Sequence, residues 1–172
     1  MTLKTTATAL TIAGTMMMAD PAAAQEVTDV GGDSQALILV PLKLTKIEDL
    51  DFGTIMASPT AGTVVIPADG SPRYATGGVV PIPSDDGLNG QFATAATPGQ
   101  EVLFVLSWPA TLDDGLGNTI NVLAMTMDGP AFRYADPVMG TIFVNVGGIL
   151  YIDADQPDGE YTGTFNLYAE YR

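Results

Sequence analysis

The stretch Tyr161–Tyr171 (YTGTFNLYAEY) decides the fold class. Its odd positions are apolar or aromatic apart from one glycine, and they are Tyr161, Gly163, Phe165, Leu167, Ala169 and Tyr171. The even positions between them are mostly polar. Such alternation predicts a β-strand with one buried face. Because the sequence ends one residue later, we expect the edge of this strand to be paired within its sheet or by another chain.

Further strands are predicted along most of the chain. They cover Ala36–Ile47, Gly62–Pro67, Gly77–Pro83, Gln91–Ala96, Val102–Trp108, Thr119–Met127 and Thr141–Ile152. Pro41 has no N–H group, so it marks a bulge, an edge or a strand switch in the first of them. The turn sequence TPGQ predicts that Gln91–Ala96 and Val102–Trp108 form a hairpin. Many short strands without helical periodicity favour a barrel or an antiparallel β-sandwich, and we expect the sandwich.

Residues 1–24 are predicted to be a cleaved signal peptide. Lys4 precedes an apolar and small-residue stretch, Ala7–Met18, and Ala22 and Ala24 occupy the small-residue positions before the expected cut. The alternative is a membrane anchor, but the stretch is short and rich in threonine. We therefore expect an exported protein with a flexible arm at residues 25–35 and a single domain at residues 36–172.

The composition excludes several kinds of function. The net charge of −14 repels nucleic acid and anionic lipid surfaces. Without cysteine or histidine, the chain has no thiol chemistry, no imidazole base and no Cys/His zinc site. The sequence also lacks the G-x-S-x-G and phosphate-binding glycine motifs. We expect neither an enzyme nor a cofactor, although the 20 acidic residues leave open a glycosidase-like carboxylate pair.

The densest acidic cluster supplies candidate calcium ligands, which are Asp153, Asp155, Asp158 and Glu160. A calcium loop requires oxygen ligands at fixed offsets, as in D-x-D-x-D-G. Here the third acid is one residue late, and Pro157 occupies its place. A polar hairpin loop is therefore the favoured interpretation. The string DLDFG at residues 49–53 is interpreted in the same way, with Leu50 and Phe52 in the core and Gly53 in a tight turn.

Four strings together resemble a known family. They are IEDLDFGTI at Ile47–Ile55, AGTVVIPADG at Ala61–Gly70, VGGILYI at Val146–Ile152 and PDGEYTGTFNLYAEY at Pro157–Tyr171. The set resembles a family of secreted bacterial domains of unknown function, related to the spore-coat protein U group and to chaperone–usher pilins. The resemblance implies an immunoglobulin-like, pilin-like sandwich exported by a Gram-negative bacterium through the periplasm to the cell surface.

The resemblance further implies assembly by donor-strand complementation, in which a neighbour's N-terminal segment pairs with an incomplete sheet. The odd positions of Tyr161–Tyr171 would form the assembly edge. The donor or first-strand residues would be Ala36, Ile38, Val40 and Leu42. The implied partners are identical or related subunits, a periplasmic chaperone and an outer-membrane usher.

Two features depart from the pilin pattern. The chain has no disulfide, and Val27 and Val30 are the only apolar anchors in the arm. The alternative is a self-contained binding module for a carbohydrate, calcium or a protein. The position of Ala36–Leu44 relative to the last strand distinguishes the two, because intramolecular pairing of these segments would close the fold.

Overall fold

A computed structural model of the chain describes residues 33–172. The predicted signal peptide and residues 25–32 of the arm lie outside the described residues. Leu37–Arg172 forms one compact unit. Residues 33–36, the described end of the other unit, have no regular secondary structure.

The described residues form β-strands and no helix. The strands are β1 (Lys43–Glu48), β2 (Ile55–Met56), β3 (Gly62–Ile66), β4 (Tyr74–Gly77), β5 (Val80–Pro81), β6 (Gly90–Ala95), β7 (Glu101–Ser107), β8 (Thr111–Asp113), β9 (Thr119–Met127), β10 (Phe132–Tyr134), β11 (Thr141–Ile152) and β12 (Asn166–Tyr171). Residues 33–172 accordingly contain no helix that could cross a membrane.

All strand pairs are antiparallel, and they form three sheets. The largest has seven strands and follows the order β1-β6-β11-β3-β4, with β9 also paired to β11 and β8 paired to β9. The second has the order β10-β7-β12, and the third consists of β2 and β5. Inward and outward residues alternate along β3, β6 and β9, as expected for strands with one buried face.

The long strand β11 organises the larger sheet. It pairs with β6 through Thr141–Val146, with β9 through Val146–Tyr151 and with β3 through Gly148–Ile152. Gly147 permits close approach of the chain after β3, since a Cβ there would lie 2.3 Å from the carbonyl oxygen of Ile66. The glycine pair in the predicted strand Thr141–Ile152 is therefore a packing requirement and not a strand end.

The buried apolar side chains form two clusters. The first consists of Phe52, Val64, Ile66, Val79, Leu112, Ile120, Val122, Met125, Leu150 and Ile152. The second consists of Phe92, Ala96, Val102, Phe104, Ala135, Ile142, Val144, Val146 and Leu167. The second cluster joins strands of the seven-stranded and three-stranded sheets, so these two sheets pack face to face. The architecture is consistent with the predicted all-β sandwich.

Three details of the predicted strands are wrong. The strand predicted at Ala36–Ile47 begins only at Lys43, because residues 36–42 have no partner strand among the described residues. The strand predicted at Tyr161–Tyr171 begins only at Asn166. The sequence analysis also missed β4, which pairs with β3 after the turn that contains Gly70.

The predicted hairpin of Gln91–Ala96 and Val102–Trp108 is also wrong. Both strands exist as β6 and β7, but they do not pair with each other. β6 pairs with β1 and β11, whereas β7 pairs with β10 and β12. The TPGQ segment therefore connects β6 in the seven-stranded sheet to β7 in the three-stranded sheet. The apolar side chains of the two strands pack against each other between these sheets.

Candidate functional site: an open groove beside the last strand

The last strand has a partner on one edge only. β12 pairs with β7 from Asn166 to Tyr171, and no described strand lies on its other edge. β1 likewise has β6 as its only described strand partner. β4, β8 and β10 also have a single described strand partner each, so β12 is one of several edge strands whose free ladder groups can accept another strand.

The direction of the backbone groups in β12 follows from two hydrogen bonds. The N–H of Arg172 donates to the carbonyl oxygen of Glu101 on β7, so this residue faces β7. The N–H of Phe104 donates to Ala131, on the side of β7 away from β12. Phe104 is opposite Ala169, and these two residues exchange no hydrogen bond because the N–H of Phe104 points away from β12. The N–H and C=O groups of Ala169, and of every second residue of β12 counted from it, therefore point away from β7. These outward-facing residues are Leu167, Ala169 and Tyr171.

A groove lies next to the start of β12. It lies between residues 49–59, which follow β1, and residues 155–165, which precede β12, and its volume is about 1440 Å³. Its base consists of apolar side chains of the first core cluster, namely Leu112, Ile120, Met125, Leu150 and Ile152. Phe165 lines the groove and directly precedes β12. The groove therefore reaches the first core cluster close to the start of β12.

The rim of the groove is acidic. The carboxylates on it belong to Asp49, Asp51, Asp85, Asp155, Asp158 and Glu160. The Thr54 hydroxyl donates to Asp85 over 2.7 Å, and this bond is the main cause that lowers the pKa of Asp85 from its ordinary value of 3.8. The groove thus combines an apolar base with negatively charged walls, an arrangement that favours an apolar occupant with few acidic groups.

The DLDFG segment builds one wall of the groove. Phe52 is buried in the first cluster, and Gly53 has a positive φ of 64°, as the predicted tight turn requires. Asp51 accepts a hydrogen bond from the N–H of Gly53 over 2.8 Å. Arg73 then fixes this turn, because its guanidinium donates to the carbonyl oxygens of Phe52, Thr54 and Ile82. The string is therefore a structural turn beside the groove.

The six residues predicted as the assembly edge occupy two different environments. Leu167 is buried, and Ala169 and Tyr171 are half-buried on the inner face of β12. Phe165 packs against both clusters and meets Phe92 edge to face, with 5.8 Å between ring centroids. Tyr161 and Gly163 lie in the segment before the strand, where the Tyr161 hydroxyl donates to the carbonyl oxygen of Pro157. All six belong either to β12 or to the segment that leads into it.

The four residues predicted as donor or first strand all precede β1. Leu42 is half-buried against the second cluster. Ile38 is 90% exposed, Val40 is also exposed, and Ala36 is the last residue of the other unit. Their assignment to the first strand is therefore wrong, because Pro41 precedes the start of pairing and has no N–H for a ladder.

A hydrogen-bond network ties the end of β12 to the chain before β1. The Tyr171 hydroxyl donates to the carbonyl oxygen of Val40 over 2.8 Å and accepts from the N–H of Thr97 over 2.6 Å. The N–H of Val40 donates to the Thr97 hydroxyl over 2.9 Å. We call these three residues the Tyr171 latch. Both backbone groups of Val40 are thereby held in the domain.

The acidic residues predicted as calcium ligands do not form a metal site. Within residues 33–172, no group of three or more Asp, Glu, His or Cys side chains is arranged to hold a metal ion. Asp155 adopts a positive φ of 54° and donates its N–H to Ser58. This segment is therefore a loop of the groove wall.

Sequence reasoning missed Arg73 and Thr97. Arg73 is one of only six basic residues, but nothing in its spacing indicates that it would bind three carbonyl groups. Thr97 begins the TPGQ segment, where a threonine is an ordinary turn residue. Both residues form hydrogen bonds with residues far away in the sequence, and a local sequence pattern cannot predict such bonds.

The fold and the groove define an all-β domain in which two antiparallel sheets pack face to face and the last strand has, within residues 33–172, a partner on one edge only. The chain belongs to the family described as domain of unknown function DUF4402, whose family model matches residues 42–171. The predicted membership of a family of domains of unknown function is confirmed to that extent. No curated protein and no solved structure matches the chain.

Proposed function

We propose that the protein is a structural subunit of a cell-surface filament or coat, and that its subunits assemble by β-strand donation. In this proposal the domain is a pilin-like relative of the spore-coat protein U group, exported through the periplasm, with no catalytic role. A periplasmic chaperone and an outer-membrane usher would deliver it. The observation that carries the proposal is that the edge of β12 has no described partner strand, with an apolar groove next to the start of the same strand.

The open edge supports strand donation through its backbone. Leu167, Ala169 and Tyr171 direct their N–H and C=O groups away from β7, so an added strand would find three residues of ladder partners. Strand addition of this kind derives its affinity from main-chain hydrogen bonds and its specificity from alternate side chains.

The chain also carries a suitable donor in the segment before β1. Leu37 and Ile38 are 71% and 90% exposed, although large apolar side chains are usually buried. Alternate residues of a donor enter a groove together, so Ala36 and Ile38 would insert while Leu37 faces solvent. One chain therefore carries both an exposed apolar segment that would act as a donor and an apolar groove that would accept it.

Deletion of the donor tests this proposal. The mature protein, residues 25–172, is compared with a version that starts at Leu39 and so retains the Tyr171 latch. We expect the longer protein to form detergent-resistant multimers or filaments in light scattering and negative-stain imaging, and the shorter one to remain a folded monomer. A folded monomer in both cases would overturn the proposal in favour of the self-contained binding module.

A matched pair of point variants tests the face of the donor. Ile38→Asp places a charge on the inserted face, whereas Leu37→Asp places the same charge on the solvent face. Both residues are exposed, so we expect neither change to affect folding. Assembly should be lost in Ile38→Asp and retained in Leu37→Asp, and equal behaviour of the two variants would contradict this face assignment.

A further inference from the structure

The first core cluster lacks a complete second sheet above it. Its strand residues all lie in the seven-stranded sheet, and its other two members, Phe52 and Val79, lie between strands. Among the described residues, the three-stranded sheet adds only the partly buried Leu106 to this cluster. The walls of the groove, residues 49–59 and 155–165, therefore take the place of a second sheet, and they contribute Leu50, Ile55, Ala57, Tyr161 and Phe165.

The walls leave little of the groove base in reach of an occupant. The side chains of the base are only 9% exposed at Leu112, 7% at Ile120 and Met125, and 2% at Leu150 and Ile152. An apolar occupant is stabilised by the apolar surface that it removes from water, and these side chains offer almost none. The walls therefore have to move apart before an occupant can pack against the base.

Few bonds hold the second wall in place. Within residues 33–172, one hydrogen bond joins the two walls, and in it the N–H of Asp155 donates to the carbonyl oxygen of Ser58 over 2.9 Å. We call this bond the Ser58–Asp155 clasp. Farther along the wall, Thr162 exchanges two backbone hydrogen bonds with Asp113 in an isolated bridge. Segments with so few tertiary bonds open at a lower free energy than core strands do.

We infer that the two walls form a cover over the first core cluster, that the Ser58–Asp155 clasp closes this cover, and that its opening admits the occupant of the groove. The inference depends on the proposed strand donation for the identity of the occupant, and it adds the step that controls entry. Opening exposes apolar side chains to water, so the closed form predominates in the free subunit. An occupant that covers the base shifts the equilibrium towards the open form.

Thiol labelling tests whether the cover opens. The chain has no cysteine, so one introduced thiol reports on one position. Ile120→Cys places it in the groove base and Ile142→Cys in the second cluster, where the native side chains are 7% and 6% exposed. Each change is made in the mature protein with Ile38→Asp, which keeps the subunits apart. We expect the thiol of Ile120→Cys to react at least about tenfold faster, because it needs only local opening.

Equal labelling rates would overturn the inference, because the groove base would then be reached only by global unfolding. Urea titration of both variants corrects the rates for any difference in overall stability. Met125→Cys, at a second position of the groove base, replaces Ile120→Cys if that variant does not fold.

A disulfide across the clasp tests whether opening is required for assembly. Ser58→Cys with Asp155→Cys is introduced into the mature protein, and thiol titration verifies that the bond forms. We expect the oxidised protein to remain monomeric in light scattering and the reduced protein to assemble. The control disulfide joins Thr63→Cys to Thr76→Cys on the paired strands β3 and β4, where the native hydroxyl oxygens are 2.7 Å apart, and assembly should occur in both redox states.

The outcomes separate this inference from the proposed function. If the mature protein without cysteine does not assemble, strand donation fails, and the labelling rates still decide whether the cover opens. If that protein assembles and the oxidised clasp variant assembles equally well, strand donation stands and the cover is overturned as the step that controls entry.

Discussion

Single residues fix the walls of the groove. Gly53 stands at the end of the DLDFG string with a positive φ, and the Arg73 guanidinium lies close to it. Asp85 approaches the same turn through the Thr54 hydroxyl. At this scale, the acids and glycine of the string act through backbone geometry and hydrogen bonding, and a ligand role is not needed to explain them.

Gly53→Ala should destabilise the domain more than Gly70→Ala does. Both glycines have a positive φ, so each substitution costs about 1 kcal/mol of backbone strain. A Cβ at Gly53 would also lie 2.5 Å from the carbonyl oxygen of Asp85, whereas one at Gly70 would meet no atom within 4 Å. We expect a loss of about 3 kcal/mol in the free energy of unfolding for Gly53→Ala, from urea titration. Equal losses in the two variants would contradict the close packing at Gly53.

Asp85→Asn should reduce stability at neutral pH and have less effect in acid. The lowered pKa of Asp85 means that folding favours its charged form, mainly through the Thr54 hydroxyl. The stabilisation is present above the ordinary pKa of 3.8 and is lost as the pH falls through the lower folded-state value. Urea midpoints of both proteins at about pH 7 and about pH 2 should therefore converge in acid. A constant difference across this range would show that the charge is not involved.

The pairing of whole strands determines which edges of the sandwich lack a partner strand. β12 turns its apolar side chains inward and leaves the backbone groups of three residues without a partner strand in the described part of the chain. Side chains project out of the plane of the sheet, whereas the backbone N–H and C=O groups lie in that plane, so one strand can complete a core and still accept a neighbour.

Ala169→Pro should block assembly without breaking the pairing of β12 with β7. The N–H of Ala169 faces the open edge, and proline is tolerated where the missing N–H faces away from the ladder. We expect a folded monomer by circular dichroism and light scattering. Ala169→Val is the matched control, because it enlarges the side chain and keeps the N–H, and it should still assemble. Multimers of Ala169→Pro would mean that this edge is not used.

The molecule as a whole is strongly acidic. Its net charge is −14, the rim of the groove is acidic, and the predicted arm carries Glu26, Asp29 and Asp33 without any basic residue. Subunits and arms of the same sign repel one another over distances set by the ionic strength. Assembly by strand donation therefore has to overcome an electrostatic barrier.

Assembly of the mature protein should accelerate with salt. Raising the ionic strength from about 0.01 M to about 0.15 M shortens the Debye length from about 30 Å to about 8 Å and screens this repulsion. Light scattering over time measures the rate, and the version starting at Leu39 serves as the control for nonspecific aggregation. A rate that is unchanged or falls with salt would contradict a charge barrier.

The sequence by itself determined the all-β class, because side-chain alternation and turn residues are local properties. It located the strands β3, β6, β7, β9 and β11 within a few residues, and it indicated the family through strings such as DLDFG. Only the tertiary structure decided that β6 and β7 lie in different sheets, that pairing begins at Lys43, and that Arg73 and Thr97 bind distant backbone groups. These features depend on which apolar faces meet across the sandwich and on contacts between residues far apart in the chain, and no local pattern encodes either of them.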